Sequence, residues 1–306
     1  MIEFKNVSKA YAQKKILDHA NFKIESRDFF VLVGPSGSGK TTTLKMINQL
    51  ISQTEGQILI DGQDTKTVDL RQLRLSIGYV LQQIALFPNL TVAENIELIP
   101  EMKGWDKKKR QARSRELMEL VGLDPEVYAQ RIPIELSGGE QQRVGILRAI
   151  ASEPNIVLMD EPFSALDPIS RRQLQIFIKD LQKKLQLTIV FVTHDLNEAL
   201  LLADCVAIMN DGLIQQIDKP SEIFHHPANK FVAHFFQEYH QDLSQSQVSD
   251  LHLTEQTSDY SLKEVSADLS ISDLINELAQ EKVIRFGNYI ITSDDIVRFL
   301  AGASAV

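Results

Sequence analysis

An intramolecular disulfide is closed to this chain, because its one cysteine, Cys205, has no second thiol to pair with; this agrees with a reducing compartment. Cys205 opens the strand-like run CVAIM, where it reads as a small buried hydrophobe rather than a reactive thiol. Long apolar runs are missing as well. The nearest, ALLLADCVAIM, is interrupted by Asp204 and falls short of the roughly 18 residues that a spanning helix requires. The opening MIEFKNVSKAYAQKK alternates apolar and polar residues and has no apolar h-region, so no secretory signal is expected. Nor is there a basic stripe for nucleic acid or anionic lipid. The net charge is -9, and residues 241–306 carry 11 acidic and 4 basic side chains, a balance of -7 that leaves only -2 for the rest. Long repeats and low-complexity tracts are absent. What remains, 43% hydrophobic and 24% charged residues, is ordinary globular material with enough length for one large core or two modest ones.

Period-two alternation in IEFKNV and FKIES predicts antiparallel strands leading into FFVLV, a continuous apolar run of the kind buried on both sheet faces. TTTLKMINQL reads as a helix, QILIDG and IGYVLQ as strands. Between about Gln83 and Arg148 the pattern becomes helical and highly charged, punctuated by Pro88, Pro100, Pro125 and Pro133. Strand signals return in NIVLMD, TIVFVT and CVAIM, separated by helical stretches, with an Asp211-Gly212 turn leading into LIQQI. Strands alternating with helices imply an α/β fold with a mostly parallel sheet, a small antiparallel β subdomain and a helical insertion. After the aromatic helix NKFVAHFFQEY, residues 241–259 are polar and read as a linker; residues 260–306 form a short α+β module.

Gly34-Pro35-Ser36-Gly37-Ser38-Gly39-Lys40-Thr41 fits G-x-x-x-x-G-K-[ST] and lies between a buried strand and a helix, where that motif cradles phosphates. Its glycines let successive N–H groups wrap a β-phosphate, Lys40 reaches the β/γ oxygens, and the Thr41 hydroxyl can ligate Mg²⁺. In NIVLMDEP the apolar run places Asp160 at the carboxyl end of a strand beside that loop, as a second Mg²⁺ ligand, and Glu161 next to it as a base for attacking water. Gln82 after IGYV and His194 after TIVFVT also stand at strand ends. For His194 a capping role competes with a γ-phosphate contact; for Gln82 the pattern alone does not decide. A second anion-binding pattern, LSGGE, sets Ser137, Gly138 and Gly139 at a helix start. It is compatible both with a phosphate clasp and with a simple helix cap.

Taken in order, GPSGSGKT, VLQQ, LSGGEQQR, VLMDEP, SALD and THD resemble the nucleotide-binding subunit of ATP-binding cassette (ABC) transporters, over the chain up to about residue 235. The resemblance implies a P-loop NTPase fold, ATP and Mg²⁺ as cofactors, and Tyr11 stacked on adenine. It implies nucleotide contacts from Gly34, Pro35, Ser36, Gly37, Ser38, Gly39, Lys40, Thr41, Thr42, Gln82 and Asp160, with Thr41, Gln82 and Asp160 toward the metal. It makes Glu161 and His194 the catalytic pair and Ser164 to Asp167 the D-loop. Ser137, Gly138 and Gly139 would cap the γ-phosphate held by a second copy in a head-to-tail homodimer. The last position of that signature is Glu140 here, where the family usually has Gln; the phosphate contacts are assigned to the serine and glycines before it.

IGYVLQQIALFPNLTVAENIELIPEMKGW and ILRAIASEPNIVLMDEPFSALDPISRRQLQ are similar to the ATPases of importers for glycine betaine, carnitine, choline and related quaternary amines. This implies a place on the cytoplasmic face of the membrane, membrane permease subunits as partners, indirectly a substrate-binding protein, and no nucleic acid. Ile84, Leu86, Phe87 and Pro88 offer either a permease grip or ordinary packing. An importer for another solute, such as an amino acid or polyamine, stays open, as does a cassette ATPase of DNA repair or translation, though GxxxxGKT occurs once and no long coiled coil intervenes. The closing module, especially IITSDDIVRFL, resembles one abbreviated cystathionine-β-synthase (CBS) motif, read as a dimerisation or regulatory tail or as a small acidic appendage.

Overall fold

The computed structural model describes residues 1–12, 14–164, 166–237, 247–251, 253, 257, 261–281 and 283–300. Backbone contacts divide the chain into two compact units, one of residues 1–194 and 209–213, the other of 195–208 and 214–306.

The first unit opens with β1 (Ile2–Tyr11) and β2 (Lys14–Ile24), which pair antiparallel; β4 (Glu55–Ile60) pairs with the other edge of β1, and β5 (Gln63–Asp64) with β4. Their alternation is one-sided: Ile2, Phe4, Leu17, Phe22, Ile24 and Ile58 turn inward. Phe4 stacks on Phe22 at 4.3 Å and Phe22 on Phe30 at 5.8 Å, which joins this sheet to β3 (Phe29–Val33). In the second sheet the four strands of this unit run parallel. β3 pairs with β8 (Thr188–Thr193), β8 with β7 (Ile156–Asp160), and β7 with β6 (Ile77–Val80). All residues of β3, β7 and β8 are buried, which is why each reads as an unbroken apolar run.

Register fixes where the chemistry goes. Val33 pairs with Thr193, Asp160 with Val192 and Val80 with Met159. The segments that leave these strands, 34–41, 161 onward, 194 and 81–82, therefore start along one carboxyl edge, where open α/β sheets bind ligands. α1 (Lys40–Ile47) follows β3. α2 (Leu70–Ser76) precedes β6 and is capped by Asp69, whose side chain accepts from the Gln72 N–H; this helix was not evident in the sequence pattern.

The helical insertion comprises α3 (Val92–Met102), α4 (Lys107–Leu120), α5 (Pro125–Tyr128) and α6 (Gly138–Ile150). Each start has a side-chain cap, from Thr91, Asp106, Asp124 and Ser137, a feature that typically stabilises a helix by about 1 kcal/mol. Pro100 does not end α3 as its punctuating role predicts; it is buried in the last turn, where a missing N–H forfeits one hydrogen bond. The Val92 and Ala93 amides donate to the Arg131 and Ala129 carbonyls, tying the start of α3 to the segment between α5 and α6. α7 (Pro168–Leu185) follows the β7 edge, with Asp167 as its N-cap.

The second unit holds α8 (Leu196–Leu202), β9 (Cys205–Asn210) up to Ile208, β10 (Leu213–Asp218) from Ile214, α9 (Pro220–His225) and α10 (Lys230–Gln237). It also holds the closing module, in which α11 (Ile271–Glu281) leads to the antiparallel pair β11 (Val283–Phe286) and β12 (Tyr289–Thr292), then α12 (Ser293–Leu300). Ile271, Leu274, Leu278, Ile284, Ile291 and Ile296 form its core, with Phe224 of α9 packed against it. Val248 and Leu251, which fall in the stretch read as linker, belong to that core, because a 3-10 turn over Val248–Asp250 points both inward. Most of the remaining stretch 241–259 lies outside the described residues. No helix among the described residues is long and apolar enough to cross a membrane.

Candidate functional site

The 34–41 loop is held in shape by backbone it nearly touches. Gly39 has φ of 103° as the residue before α1, and a Cβ there would meet the Ile16 carbonyl oxygen at 2.4 Å; at Gly34 a Cβ would lie 2.0 Å from the Met209 carbonyl oxygen. Only glycine fits either place. Lys40 is 5% exposed, and its ammonium donates to the Gly34 and Pro35 carbonyls at 2.8 and 2.9 Å. Burial lowers the Lys40 pKa from its ordinary value, against the opposing charges of Glu161 and Asp160. The Ser38 hydroxyl is buried and has no hydrogen-bond partner. An unpartnered buried hydroxyl in a glycine-rich loop is a polar group open to a ligand oxygen, and a phosphate supplies one.

Beside the loop the Thr41 hydroxyl donates to Asp160 Oδ1 at 2.8 Å, and Lys45 lies 3.5 Å from the other Asp160 oxygen. Thr41 and Asp160 thus bring two hard oxygen donors together, the type that Mg²⁺ takes alongside phosphate oxygens. Among the described residues no group of three or more His, Cys, Asp or Glu side chains could hold a metal ion. Gln82, the third implied metal contact, instead donates to Glu161 Oε2 at 3.3 Å. His194 Nδ1 lies 3.2 Å from the same oxygen. One carboxylate therefore gathers Gln82 and His194, from the ends of β6 and β8. Glu161 itself has φ of 44°, a left-handed conformation costing about 1–3 kcal/mol in a non-glycine residue; its N–H donates to the Val192 carbonyl at 3.0 Å, which holds it there.

Ser137, Gly138 and Gly139 stand at the start of α6 as the motif predicts. Ser137 is its N-cap, and a Cβ on Gly138 would meet nothing within 4 Å. Glu140 is more than a passive departure from the usual glutamine: its carboxylate accepts from the Ser137 N–H at 2.7 Å, the Ser137 hydroxyl at 2.8 Å and the Tyr128 hydroxyl at 2.8 Å. Burial pushes its pKa up, but the Ser137 amide, the Tyr128 and Ser137 hydroxyls and the Arg131 charge outweigh this and hold it below the usual carboxylate value. At the far end of the same helix, Arg148 donates to the Ala85 carbonyl at 2.6 Å, gripping the segment after Gln82.

Tyr11 closes β1 as an exposed residue, with Lys9 Nζ over one face of its ring, 4.6 Å from the centroid. Thr42 lies in the first turn of α1. In the D-loop, Ser164 donates its N–H to the Glu161 carbonyl and Asp167 caps α7, while Ala165 lies outside the described residues. Four residues of the site were not singled out from sequence. Lys45 follows Thr41 by four, a helical spacing that could have revealed it. Tyr79 faces Asp160, and its phenol is pushed up by burial and then by the Asp160 charge; alternation along IGYV was the available signal. Tyr128 and Arg148 carried none, since their partners are distant in sequence.

Comparison with known proteins agrees with this geometry. The ABC transporter family model matches residues 17–164. The chain is 52% identical over 236 residues to the carnitine transport ATP-binding protein OpuCA of Listeria monocytogenes, covering 77% of this chain and 59% of that protein. It is 47% identical over 284 residues to the choline transport ATP-binding protein OpuBA of Bacillus subtilis, covering 92% and 74%, an alignment that runs into the closing module. Against the solved dimeric, post-hydrolysis ATP-binding cassette MJ0796 bound to ADP and Pi, the TM-score is 0.65 at 36% identity, over 72% of this chain and 98% of that one. The chain thus spans 59% of the length of the OpuCA relative.

Proposed function

The chain belongs to the ABC transporter ATP-binding proteins, and from that premise we propose that it hydrolyses ATP as the motor subunit of an importer for quaternary amine osmoprotectants such as glycine betaine, carnitine or choline. The single observation that carries the catalytic part is the convergence of Gln82 and His194 on Glu161, next to the Thr41–Asp160 pair and the 34–41 loop. Loop amides and the Ser38 hydroxyl bind the phosphates, and Lys40 exchanges its two carbonyl partners for phosphate oxygens. Thr41 and Asp160 would hold Mg²⁺, which would supply neutralisation of phosphate charge. Glu161 takes the proton of the attacking water, with Gln82 and His194 fixing the position of its carboxylate. Tyr11, itself exposed, offers its ring to the adenine.

Ser137, Gly138 and Gly139 would complete the site of a second copy. Two features support this: the open face of Gly138, and two exposed apolar residues, Ile134 (85% exposed), shortly before the clasp in sequence, and Ile169 (72% exposed), next to the Ser170 that faces Gly139. Exposed apolar groups around a polar clasp suit a surface that is covered in an assembly. The permease is assigned to the segment 81–88, where Leu81 and Phe87 are exposed beside Ile84 and Ala85. The solute rests on the relatives: OpuCA is named for carnitine and OpuBA for choline. We assign residues 1–240 to the cassette and 260–306, together with the Val248 and Leu251 side chains that join its core, to a regulatory module of CBS-like pattern.

Copurification with membrane subunits, followed by uptake of radiolabelled betaine, carnitine and choline after osmotic upshift, tests the reading. Uptake of at least one of the three that disappears in Glu161→Gln is the expected result. Uptake of none, with retained ATPase activity, would leave the cassette but remove the solute.

A further inference from the structure

The clasp presents a conflict of charge. A helix N-terminus favours one anion, and α6 already has its own: the ionised Glu140 carboxylate sits over the Ser137 amide and hydroxyl. A serine hydroxyl has one proton to donate. In this chain that proton points to Glu140, while the hydroxyl oxygen accepts from the Glu140 N–H at 3.3 Å. Ser137 cannot bond a phosphate through its hydroxyl proton until Glu140 releases it, and the phosphate must then share the helix end with a carboxylate. Tyr128 restrains that carboxylate from the far side through its other oxygen, and Arg131 packs over the Tyr128 ring at 4.4 Å.

We propose that Glu140 is a positioning residue that acts as an electrostatic brake on the clasp, holding the Ser137 hydroxyl away from incoming phosphate, with Tyr128 as the tether that limits the brake's reach. This rests on the composite-site reading above and adds to it the expectation that the ATP-bound pair needs more ATP to form than it would with an uncharged residue at position 140. Glutamine at this position keeps an oxygen acceptor for the Ser137 amide and removes the charge, so Glu140→Gln separates charge from capping.

The test uses the full chain carrying Glu161→Gln, so that hydrolysis is silent, and follows association by sedimentation as Mg-ATP is titrated. Adding Glu140→Gln should lower the ATP concentration at half-association by about three- to tenfold. The gap between the two proteins should narrow as salt rises from about 0.05 to about 0.5 M, because screening weakens repulsion between charges but leaves a neutral cap untouched. Tyr128→Phe should raise the ATP requirement up to about threefold with Glu at position 140 and change it far less with Gln there, the non-additivity of a coupled pair. An unchanged ATP requirement in Glu140→Gln, or a gap indifferent to salt, would reduce Glu140 to a helix cap and overturn the brake alone. Failure of the parent to associate at any ATP concentration would overturn the composite site and the brake with it.

Discussion

The two anion cradles of this chain are built in opposite ways. At 34–41 the backbone is wedged against its own fold: Gly34 and Gly39 press on the carbonyls of Met209 and Ile16, Lys40 is buried, and the Ser38 hydroxyl is left unpartnered. At 137–139 the backbone is open, Gly138 touches nothing a Cβ would strike, and the serine is already satisfied by Glu140. The first cradle is preformed and short of one partner. The second is supplied with an internal partner and lacks a wall. A preformed backbone binds with little reorganisation beyond the exchange of Lys40 partners; an open and self-satisfied one binds only when another surface completes it.

Mutations can break this contrast, and the largest effect belongs to the base. Replacing Glu161 with Gln should cut ATP turnover by about 10²- to 10⁴-fold while leaving nucleotide binding intact, as steady-state ATPase and binding assays would register. Next come two alanine substitutions that look equivalent on paper. Gly39→Ala places a methyl 2.4 Å from a backbone oxygen at a φ of 103°, so it should abolish ATP binding in a single copy and lower the melting temperature. Gly138→Ala meets no atom within 4 Å and replaces glycine by a better helix former worth up to about 1 kcal/mol. It should leave single-copy binding intact and melting unchanged or slightly higher, yet lose ATP-driven association. Equal behaviour of the two variants in a binding titration would erase the distinction between the cradles.

A smaller effect concerns the second unit, where His225 of α9 hydrogen-bonds Ser293 of α12 and its other ring nitrogen is buried without a partner. Burial, then the neighbouring His226, lowers the His225 pKa below its ordinary value of 6.5, while Glu222 opposes them. A lowered folded-state value stabilises the fold above the ordinary one, and that contribution fades as pH falls through and below it, since the unfolded chain takes up the proton first. Melting from pH 8 to about 5.5 should therefore show a shallow acid loss, a few degrees at most, that His225→Gln flattens.

The parallel strands were legible because burial on both faces leaves apolar runs such as FFVLV and TIVFVT, and the 34–41 loop because strand, glycines and lysine are contiguous. Register then brings Gln82, Glu161 and His194 together, which sequence spacing implied only through the rule that strand ends share an edge. What was hidden depends on contacts between remote segments. Tyr128 meets Glu140 across the turn between α5 and α6, and Arg148 reaches back to Ala85. Glu140 looked inconsequential because a motif weighs residue identity and says nothing of where a hydroxyl proton points. Val248 and Leu251 were read as linker because their neighbours are polar, although each packs inward from a single turn. The short helix α2 escaped notice because seven residues give too few periods to register.

The Arg148–Ala85 bond has a mechanical corollary. α6 is one uninterrupted rod of 13 residues, about 20 Å long, with the glycine pair at its tip and the arginine near its base. The same rod therefore carries a tie to the segment after Gln82 near one end and the glycine pair at the other, so Arg148→Ala should uncouple the position of the loop around Ala85 from that of Gly138 and Gly139.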